Sequence, residues 1–202
     1  KLVAHKEVFE DENHLSYPNY EDGIVVAENF KSGGLYRFYI EENPVRKELI
    51  LDMPLMDPTF VEYNGKKWLF ATTKEEVDDP NRKLSIFVEK DGKFIPHKKN
   101  PVKEDIHTAR PGGKFFEYKG CLYRPAQNSE HIYGEDIRIM KILRLDEEDF
   151  QEEEVMTISS HDLKRYNLGL HTFNVGDGYV VVDGFEYSTQ IVQKIKNKLT
   201  GY

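Results

Sequence analysis

The sequence predicts an all-β protein of the β-propeller class, on three observations. Four hairpin turns recur, centred on Gly23, Gly65, Gly120 and Gly178, at intervals of 42, 55 and 58 residues. The segment Phe60-Val61-Glu62-Tyr63-Asn64-Gly65 is repeated almost unchanged as Phe115-Phe116-Glu117-Tyr118-Lys119-Gly120. Between these hairpins the chain alternates as further strands with no helical pattern. Four strands per unit at such a period are typical of propeller blades.

The order of strands divides the chain into repeating units. Each unit opens with a hairpin whose turn carries glycine, a residue that takes positive φ without steric cost. We therefore predict a propeller over residues 1–188, with blades at about 1–52, 53–103, 104–160 and 161–188. A helix is predicted over 189–202, where Thr189 is a potential cap and apolar residues follow at helical spacing. This helix would dock on the propeller or, as an alternative, lie on a membrane surface.

Composition excludes several functions. The formal net charge is −8, which argues against a nucleic-acid binder because such proteins need a basic face. No apolar run is long enough for a transmembrane helix, and the first residues lack a signal-peptide core. A single cysteine, Cys121, leaves no internal disulfide. These features favour a cytoplasmic location.

Polar residues recur at equivalent corners of the units. In a propeller the first strand of each blade lines the central channel, so residues at its start face a common space. Alignment of the repeats puts two layers there, a first of His14 with Tyr17, Asp57, His107 with Arg110, and His171 with Asn174, and a second of Glu28, Thr72, Gln127 and Asp183. We expect them to line a ligand pocket. As alternatives, Asp57 caps a turn before Pro58, and Arg110 pairs with Asp57 as a structural strap.

A further group lies in Tyr123-Arg124-Pro125-Ala126-Gln127 and at Tyr133. Arginine offers a planar fork for carboxylate, phosphate or sugar diols, and glutamine both donates and accepts. The alternative for Arg124 is a salt bridge to a neighbouring blade. No phosphate loop or nucleophile elbow is present. His14, His107 and His171 could hold an ion in one channel, but their spacing is not that of a metal site, and no cofactor or metal is predicted.

An ordered set of motifs carries a family likeness over nearly the whole chain. The set includes His14-Leu15-Ser16-Tyr17-Pro18, Asp57-Pro58-Thr59-Phe60, Arg110-Pro111-Gly112-Gly113, Tyr123-Arg124-Pro125-Ala126-Gln127, His171-Thr172-Phe173-Asn174 and Val182-Asp183-Gly184. It resembles the five-bladed propeller domain at the N-terminus of plant glucosamine inositolphosphorylceramide transferases and in bacterial glycan-biosynthesis proteins. More distantly, that domain is similar to the propellers of arabinanases, invertases and related furanosidases.

The resemblance implies a five-bladed propeller, here with the first blade missing or incomplete because about 13 residues precede the first motif. It also implies a carbohydrate ligand. Furanosidase-type hydrolases use three carboxylates, one from each of three successive blades. Asp57 and Glu28 match part of that pattern, but Arg110 stands where the general acid is expected, and arginine does not donate a proton near neutral pH.

Three functions are compatible with these features. The favoured one is a carbohydrate-recognising domain in glycan or glycolipid biosynthesis, with a sugar or nucleotide-sugar bound in the central channel. An attached transferase domain is a further partner that this function suggests. The second is a furanosidase-type glycoside hydrolase, with Asp57 as base or nucleophile and Glu28 or Asp183 as acid. The third is a protein-interaction propeller. The sequence leaves open whether the protein is an enzyme.

Overall fold

A computed structural model describes residues 7–73, 81–163 and 166–185 of the chain. These residues form fifteen β-strands and two short 3-10 helices, at Phe30–Ser32 and Ser160–Asp162. Three antiparallel sheets follow one another along the chain, each with four strands in sequential order, to which the second sheet adds a short fifth strand, and a hairpin follows the third. This arrangement confirms the predicted all-β propeller architecture.

We call the three sheets blades 1 to 3 and the last element the fourth hairpin. Blade 1 contains β1 (Ser16–Glu21), β2 (Ile24–Glu28), β3 (Leu35–Tyr39) and β4 (Arg46–Leu51). Blade 2 contains β5 (Met56–Tyr63), β6 (Lys66–Thr73), β7 (Lys83–Lys90), β8 (Lys93–Pro96) and the short β9 (Lys103–Glu104), which pairs with β7. Blade 3 contains β10 (Phe116–Tyr118), β11 (Cys121–Asn128), β12 (Asp136–Leu145) and β13 (Phe150–Ser159). The fourth hairpin contains β14 (Phe173–Gly176) and β15 (Tyr179–Val182).

The predicted hairpin turns are all present. In the first three, both central residues have positive φ, as type I′ turns require: Asp22 at 44° with Gly23 at 78°, Asn64 at 51° with Gly65 at 70°, and Lys119 at 51° with Gly120 at 74°. Gly178 adopts φ 80° in the fourth. The turn chemistry of the sequence therefore fixes where the first two strands of each unit meet.

The core lies between the blades. Trp68 and Phe70 on β6 pack in a cluster that includes residues of blade 3, whereas Leu69 and Ala71 on the same strand pack in a cluster with blade 1. Successive side chains of a strand point to opposite faces, so a strand buried on both sides reads as a continuous apolar run. Trp68-Leu69-Phe70-Ala71 is such a run, and it places blade 2 in the middle of the stack.

The innermost strands of blades 1 and 2 begin with the same irregularity. Tyr17 and Asp57 both have φ 49° and both precede a proline, and each lies where the register of the first hairpin shifts. A β-bulge re-aims side chains, and a non-glycine residue in this left-handed region stores backbone strain of the kind found at functional sites. The side chains of Tyr17 and Asp57 therefore point in directions that a regular strand would not give them.

The predicted helix at 189–202 lies outside the described residues. The acidic turn at 146–149, between β12 and β13, is ion-paired with blade 2. Glu147 contacts Lys66 and Lys90, and Asp149 contacts Lys99 at 2.6 Å. Within the described parts, no helix has the length and apolar character to cross a membrane.

Candidate functional site

Asp57 is the centre of a polar cluster built from three blades. Its Oδ2 accepts hydrogen bonds from Arg110 Nε at 2.5 Å and from Gln127 Nε2 at 2.8 Å. Its backbone N–H donates to Glu28 Oε2 at 3.0 Å. The aligned corners of blades 1, 2 and 3 thus converge on one carboxylate, and the pairing of Arg110 with Asp57 agrees with the strap that the sequence left open.

Arg110 is held from three sides. Besides Asp57, its Nη1 donates to Asn81 Oδ1 at 2.7 Å, and its guanidinium carbon lies 4.7 Å from the centre of the Tyr133 ring. Burial alone would lower the pKa of Arg110, but the charge of Asp57 raises it above its ordinary value. The side chain therefore remains a cation, and a planar one, with its face covered by an aromatic ring.

Glu28 has the opposite tendency. Burial raises the pKa of its carboxyl group and the nearby charge of Asp57 raises it further, against the lowering effects of the Asp57 backbone N–H and of Arg110. Two carboxyl groups so close disfavour double ionisation. Glu28 consequently keeps its proton to higher pH than an ordinary glutamate.

A row of aromatic rings continues the cluster into the fourth hairpin. The ring of His171 lies 4.7 Å from that of Tyr133 and stacks on that of Phe185 at 5.2 Å with an interplanar angle of 16°. Gly134 has φ 65°, and a Cβ there would come within 2.1 Å of the His171 ring. Glycine at this position is what lets His171 approach Tyr133 and, through it, Arg110.

Asp183 fixes the start of the fourth unit. Its Oδ1 accepts from the backbone N–H groups of His171 at 2.9 Å and Thr172 at 2.6 Å, and its Oδ2 lies 3.3 Å from His171 Nδ1. Burial opposes ionisation, but the hydrogen bonds from the His171 side chain and from the two N–H groups lower the pKa of Asp183. It is an ionised carboxylate that orients His171. We call Glu28, Asp57, Arg110, Gln127, Tyr133, His171 and Asp183 together the Asp57 cluster.

Tyr17 braces the inner strands beside this cluster. Its hydroxyl oxygen accepts from the Gly113 N–H at 2.6 Å and from Thr59 Oγ1 at 3.2 Å, which links blades 1, 2 and 3. Burial raises the pKa of the phenol strongly. Tyr17 also lines an open cavity of about 480 Å³ with Lys114 and Asn174, whose Oδ1 accepts from the Lys114 N–H at 2.9 Å.

Three other predicted ligand residues have different surroundings. Arg124 is fully buried, and its Nε and Nη2 donate to Glu152 at 2.9 and 2.6 Å. It forms an ion pair, as the alternative expected, but within its own blade. His107 lies 3.2 Å from Asn128 Oδ1, and His14 is exposed just before β1. No contact found among the described residues joins these three to Asp57.

The sequence did not point to several residues that complete the site. Asn81 and Phe185 contact Arg110 and His171 from segments that carry no repeated motif. Thr72, expected in the second layer, is buried, and its Oγ1 has no hydrogen-bond partner in the described residues. No group of three metal-ligating side chains occurs in the described part of the chain. A second, larger cavity of about 640 Å³ lies between blades 1 and 2, lined by residues of both inner hairpins and by Lys114.

Solved structures define the class of fold. The chain is similar to a GH32 beta-fructofuranosidase of Bombyx mori, with a TM-score of 0.52 and 15% sequence identity, over 86% of this chain and 42% of that one. A mutant of the same enzyme in complex with sucrose matches with a TM-score of 0.52 and 14% identity, over the same shares of the two chains. At this identity the likeness shows the fold, which is that of a furanosidase-type β-propeller.

Sequence relatives define the family. The chain belongs to the family described as glucosamine inositolphosphorylceramide transferase 1, N-terminal, whose model matches residues 6–174. It is 33% identical over 152 residues to glucosamine inositolphosphorylceramide transferase 1 of Oryza sativa subsp. japonica, and 34% identical over 154 residues to that of Arabidopsis thaliana. These matches cover 69% and 70% of this chain and 20% of each relative. The chain thus spans about a fifth of the length of these relatives.

Proposed function

We propose that this protein recognises a carbohydrate at the Asp57 cluster and acts in glycan or glycolipid biosynthesis. The observation that carries the proposal is the convergence of Glu28, Asp57, Arg110 and Gln127, from three blades, beside a partly exposed aromatic ring. The family and the fold support a glycan context. That a nucleotide-sugar is the ligand, that it binds within the channel and that the protein is cytoplasmic stay predictions.

The cluster offers what a sugar ring needs. Tyr133 is 47% exposed, and its ring lies next to a charged, planar guanidinium. Gln127 is buried, and its Oε1 has no hydrogen-bond partner in the described part of the chain. Pockets for small ligands typically combine apolar rings with a few fixed polar groups. A sugar binds by stacking on such a ring while its hydroxyl groups donate to and accept from the fixed polar atoms.

The arrangement of carboxyl groups favours binding over hydrolysis. Glycoside hydrolases place their two carboxyl groups about 5–5.5 Å apart for retention, or about 6.5–9.5 Å apart for inversion, so that the scissile bond fits between them. The carboxyl group of Glu28 is instead bound by the backbone N–H of Asp57 at 3.0 Å. The carboxyl group of Asp57 is bound by Arg110 and Gln127. These contacts engage both groups with protein neighbours, which favours a binding role for them over a nucleophilic one.

Asp183 and the residues at the start of the inner strands also favour binding over hydrolysis. Asp183 has a lowered pKa and is engaged with His171 and Thr172, which suits an orienting group better than a proton donor. The equivalent positions at the start of the three inner strands are occupied by Tyr17, Asp57 and Arg110. Only Asp57 is a carboxylate. A three-carboxylate mechanism would need two of these positions changed.

A glycan array followed by isothermal titration calorimetry of the best ligand tests the proposal on the full chain. We expect saturable binding that Arg110→Ala and Gln127→Ala each weaken at least about tenfold, as the loss of a buried hydrogen-bonding group implies. Glu117→Ala, an exposed change on β10, serves as the control and should bind as the parent does. Absence of any glycan ligand, or equal binding by all variants, would contradict the proposal.

A further inference from the structure

We propose that the Asp57 cluster selects an uncharged sugar and rejects sugar phosphates and uronic acids. This inference rests on the proposed function and specifies the chemical class of its ligand. It follows from the balance of charge in the cluster and from one buried acceptor without a partner.

The cluster holds more negative than positive charge. Glu28, Asp57 and Asp183 supply three carboxyl groups, whereas Arg110 supplies the one guanidinium within the cluster as defined. That guanidinium is already engaged in part, since its Nε donates to Asp57, its Nη1 donates to Asn81 and one face lies against Tyr133. A phosphate or carboxylate that entered would add a negative charge to a cluster in which the carboxyl groups already outnumber the guanidinium.

The charged groups of the Asp57 cluster also act on the pKa of the Tyr133 phenol. Burial raises its pKa, Arg110 lowers it, and the charges of Asp57, Glu28 and Asp183 raise it further, with a net rise. Burial is the largest cause of the rise, and Arg110 and the three carboxyl groups act in opposite directions on this ring, which we expect to contact the ligand. An additional anion beside the ring would therefore come within reach of all three carboxyl groups.

The unpartnered acceptor specifies what the ligand must bring. Gln127 is 1% exposed, and its Nε2 is used by Asp57 and by the Pro111 carbonyl oxygen at 2.7 Å. Its Oε1 has no donor among the described residues. A sugar hydroxyl can donate to this oxygen, whereas a phosphate near neutral pH carries chiefly acceptor oxygens. The unpartnered acceptor thus favours a ligand that presents a hydroxyl donor at this position rather than a phosphate or carboxylate group.

The neighbouring cavity provides the alternative route for an anion. Lys114 is exposed and lines the cavity of about 480 Å³ with Tyr17 and Asn174. A phosphate that bound at Lys114 would evade the negative field of the cluster. Lys114→Ala therefore separates an anion bound in this cavity from one bound at Arg110.

The experiment is calorimetry of the full chain with matched pairs of glucose and glucose 6-phosphate, mannose and mannose 6-phosphate, and glucose and glucuronic acid. We expect the neutral member of a binding pair to be favoured by at least about tenfold over the anion at low salt. Glu28→Gln removes one carboxyl group without changing shape, and we expect it to reduce the ratio several-fold. Glu117→Gln, the same substitution at an exposed site, should leave the ratio unchanged.

The outcomes are distinct. An anion that binds as tightly as its neutral partner, and is weakened by Arg110→Ala, overturns the inference but leaves carbohydrate recognition standing. An anion weakened by Lys114→Ala alone is bound in the neighbouring cavity, and the ratio measured on the Lys114→Ala variant then decides: about tenfold preference for the neutral sugar supports the inference, and equal binding overturns it. A ratio that Glu28→Gln does not change also overturns it, since the carboxyl surplus would then not be the cause. Failure of every sugar here and on the glycan array overturns the proposed function and this inference together.

Discussion

Blade 3 contains two buried arginines that each pair with an acid, and they differ in almost everything else. Arg124 is fully buried and donates from two nitrogens to Glu152 of the same blade. It also donates to the Thr108 carbonyl oxygen at 2.6 Å. Arg110 reaches across to Asp57 in blade 2 through a single nitrogen and carries an aromatic ring on its face. The Arg124–Glu152 pair is buried within one sheet. The Arg110–Asp57 pair lies instead beside the exposed ring of Tyr133 and the unpartnered oxygen of Gln127.

The difference shows that position on the strand, rather than residue type, separates a structural arginine from a candidate binding arginine. Arg124 lies within β11, where both faces of the sheet are covered by neighbouring layers. Arg110 lies just before a proline at the head of an inner strand, where side chains of several blades meet. The following changes test this division, in order of expected effect.

Glu152→Ala should be the most destabilising change. It leaves the Arg124 guanidinium buried without its carboxylate, and breaking such a pair typically costs about 3–5 kcal/mol in the free energy of unfolding. Glu153→Ala, at the next position but half exposed and 3.5 Å from Lys141, should cost less than about 1 kcal/mol. Urea unfolding of both variants measures the difference, and equal costs would show that the buried pair has no special weight.

Gly134→Ala should come second and should act on the site. The added Cβ would lie 2.1 Å from the His171 ring, so the row from Phe185 to Arg110 must shift. Gly120→Ala is the matched control, because it has a similar φ of 74° but nothing within 4 Å of the added atom. We expect Gly134→Ala to lose about 1–3 kcal/mol more stability than the control and to weaken sugar binding. Binding unchanged from the parent would separate the aromatic row from the ligand site.

Glu28→Gln should change the dependence of stability on pH. A carboxyl group with a raised pKa in the folded state binds its proton more tightly there than in the unfolded chain, so its contribution to stability is present at low pH and lost as pH rises. Relative to Glu28→Gln, the parent should therefore lose stability as pH increases from about the ordinary value of 4.5 through the raised pKa. Unfolding curves recorded across this range give the comparison, and parallel pH profiles would be inconsistent with a strained pair of carboxyl groups.

Glu147→Gln should have the smallest effect. Its exposed carboxylate bridges Lys66 and Lys90 of blade 2, whose hydrogen bonds lower the pKa of Glu147 to about 2. The stabilisation should be present above the ordinary pKa of glutamate and be lost as pH falls towards 2. Because salt screens exposed pairs, the difference from the parent should vanish near about 0.5 M NaCl. A difference in stability that persists at high salt would indicate that Glu147 stabilises the protein by packing rather than by charge.

The sequence was sufficient for the scaffold because the scaffold depends on local chemistry. Asn64-Gly65 and Lys119-Gly120 specify hairpin turns by themselves, and the run around Trp68 specifies a strand buried on both faces. From these features the repeat and the strand order follow. The pairing of the turn at 146–149 with blade 2 could not be read in this way, because it depends on how two blades stack.

The site was predictable only in part, for the same reason. Alignment of the repeats brought Glu28, Asp57, Arg110 and Gln127 to equivalent corners, and the structure joins them. It could not distinguish Arg110 from Arg124, since both are arginines next to prolines in one blade. Nor could it find Asn81 or Phe185, whose contacts depend on long-range packing rather than on any local pattern.

A crystal structure of the full chain with the tightest-binding neutral sugar from the array tests the central claim most directly. The account predicts a sugar ring against Tyr133, with a hydroxyl group donating to Gln127 Oε1 and ring oxygens or hydroxyl groups near Arg110. A sugar found instead in the cavity of about 640 Å³ between blades 1 and 2, without contact to the Asp57 cluster, would contradict it.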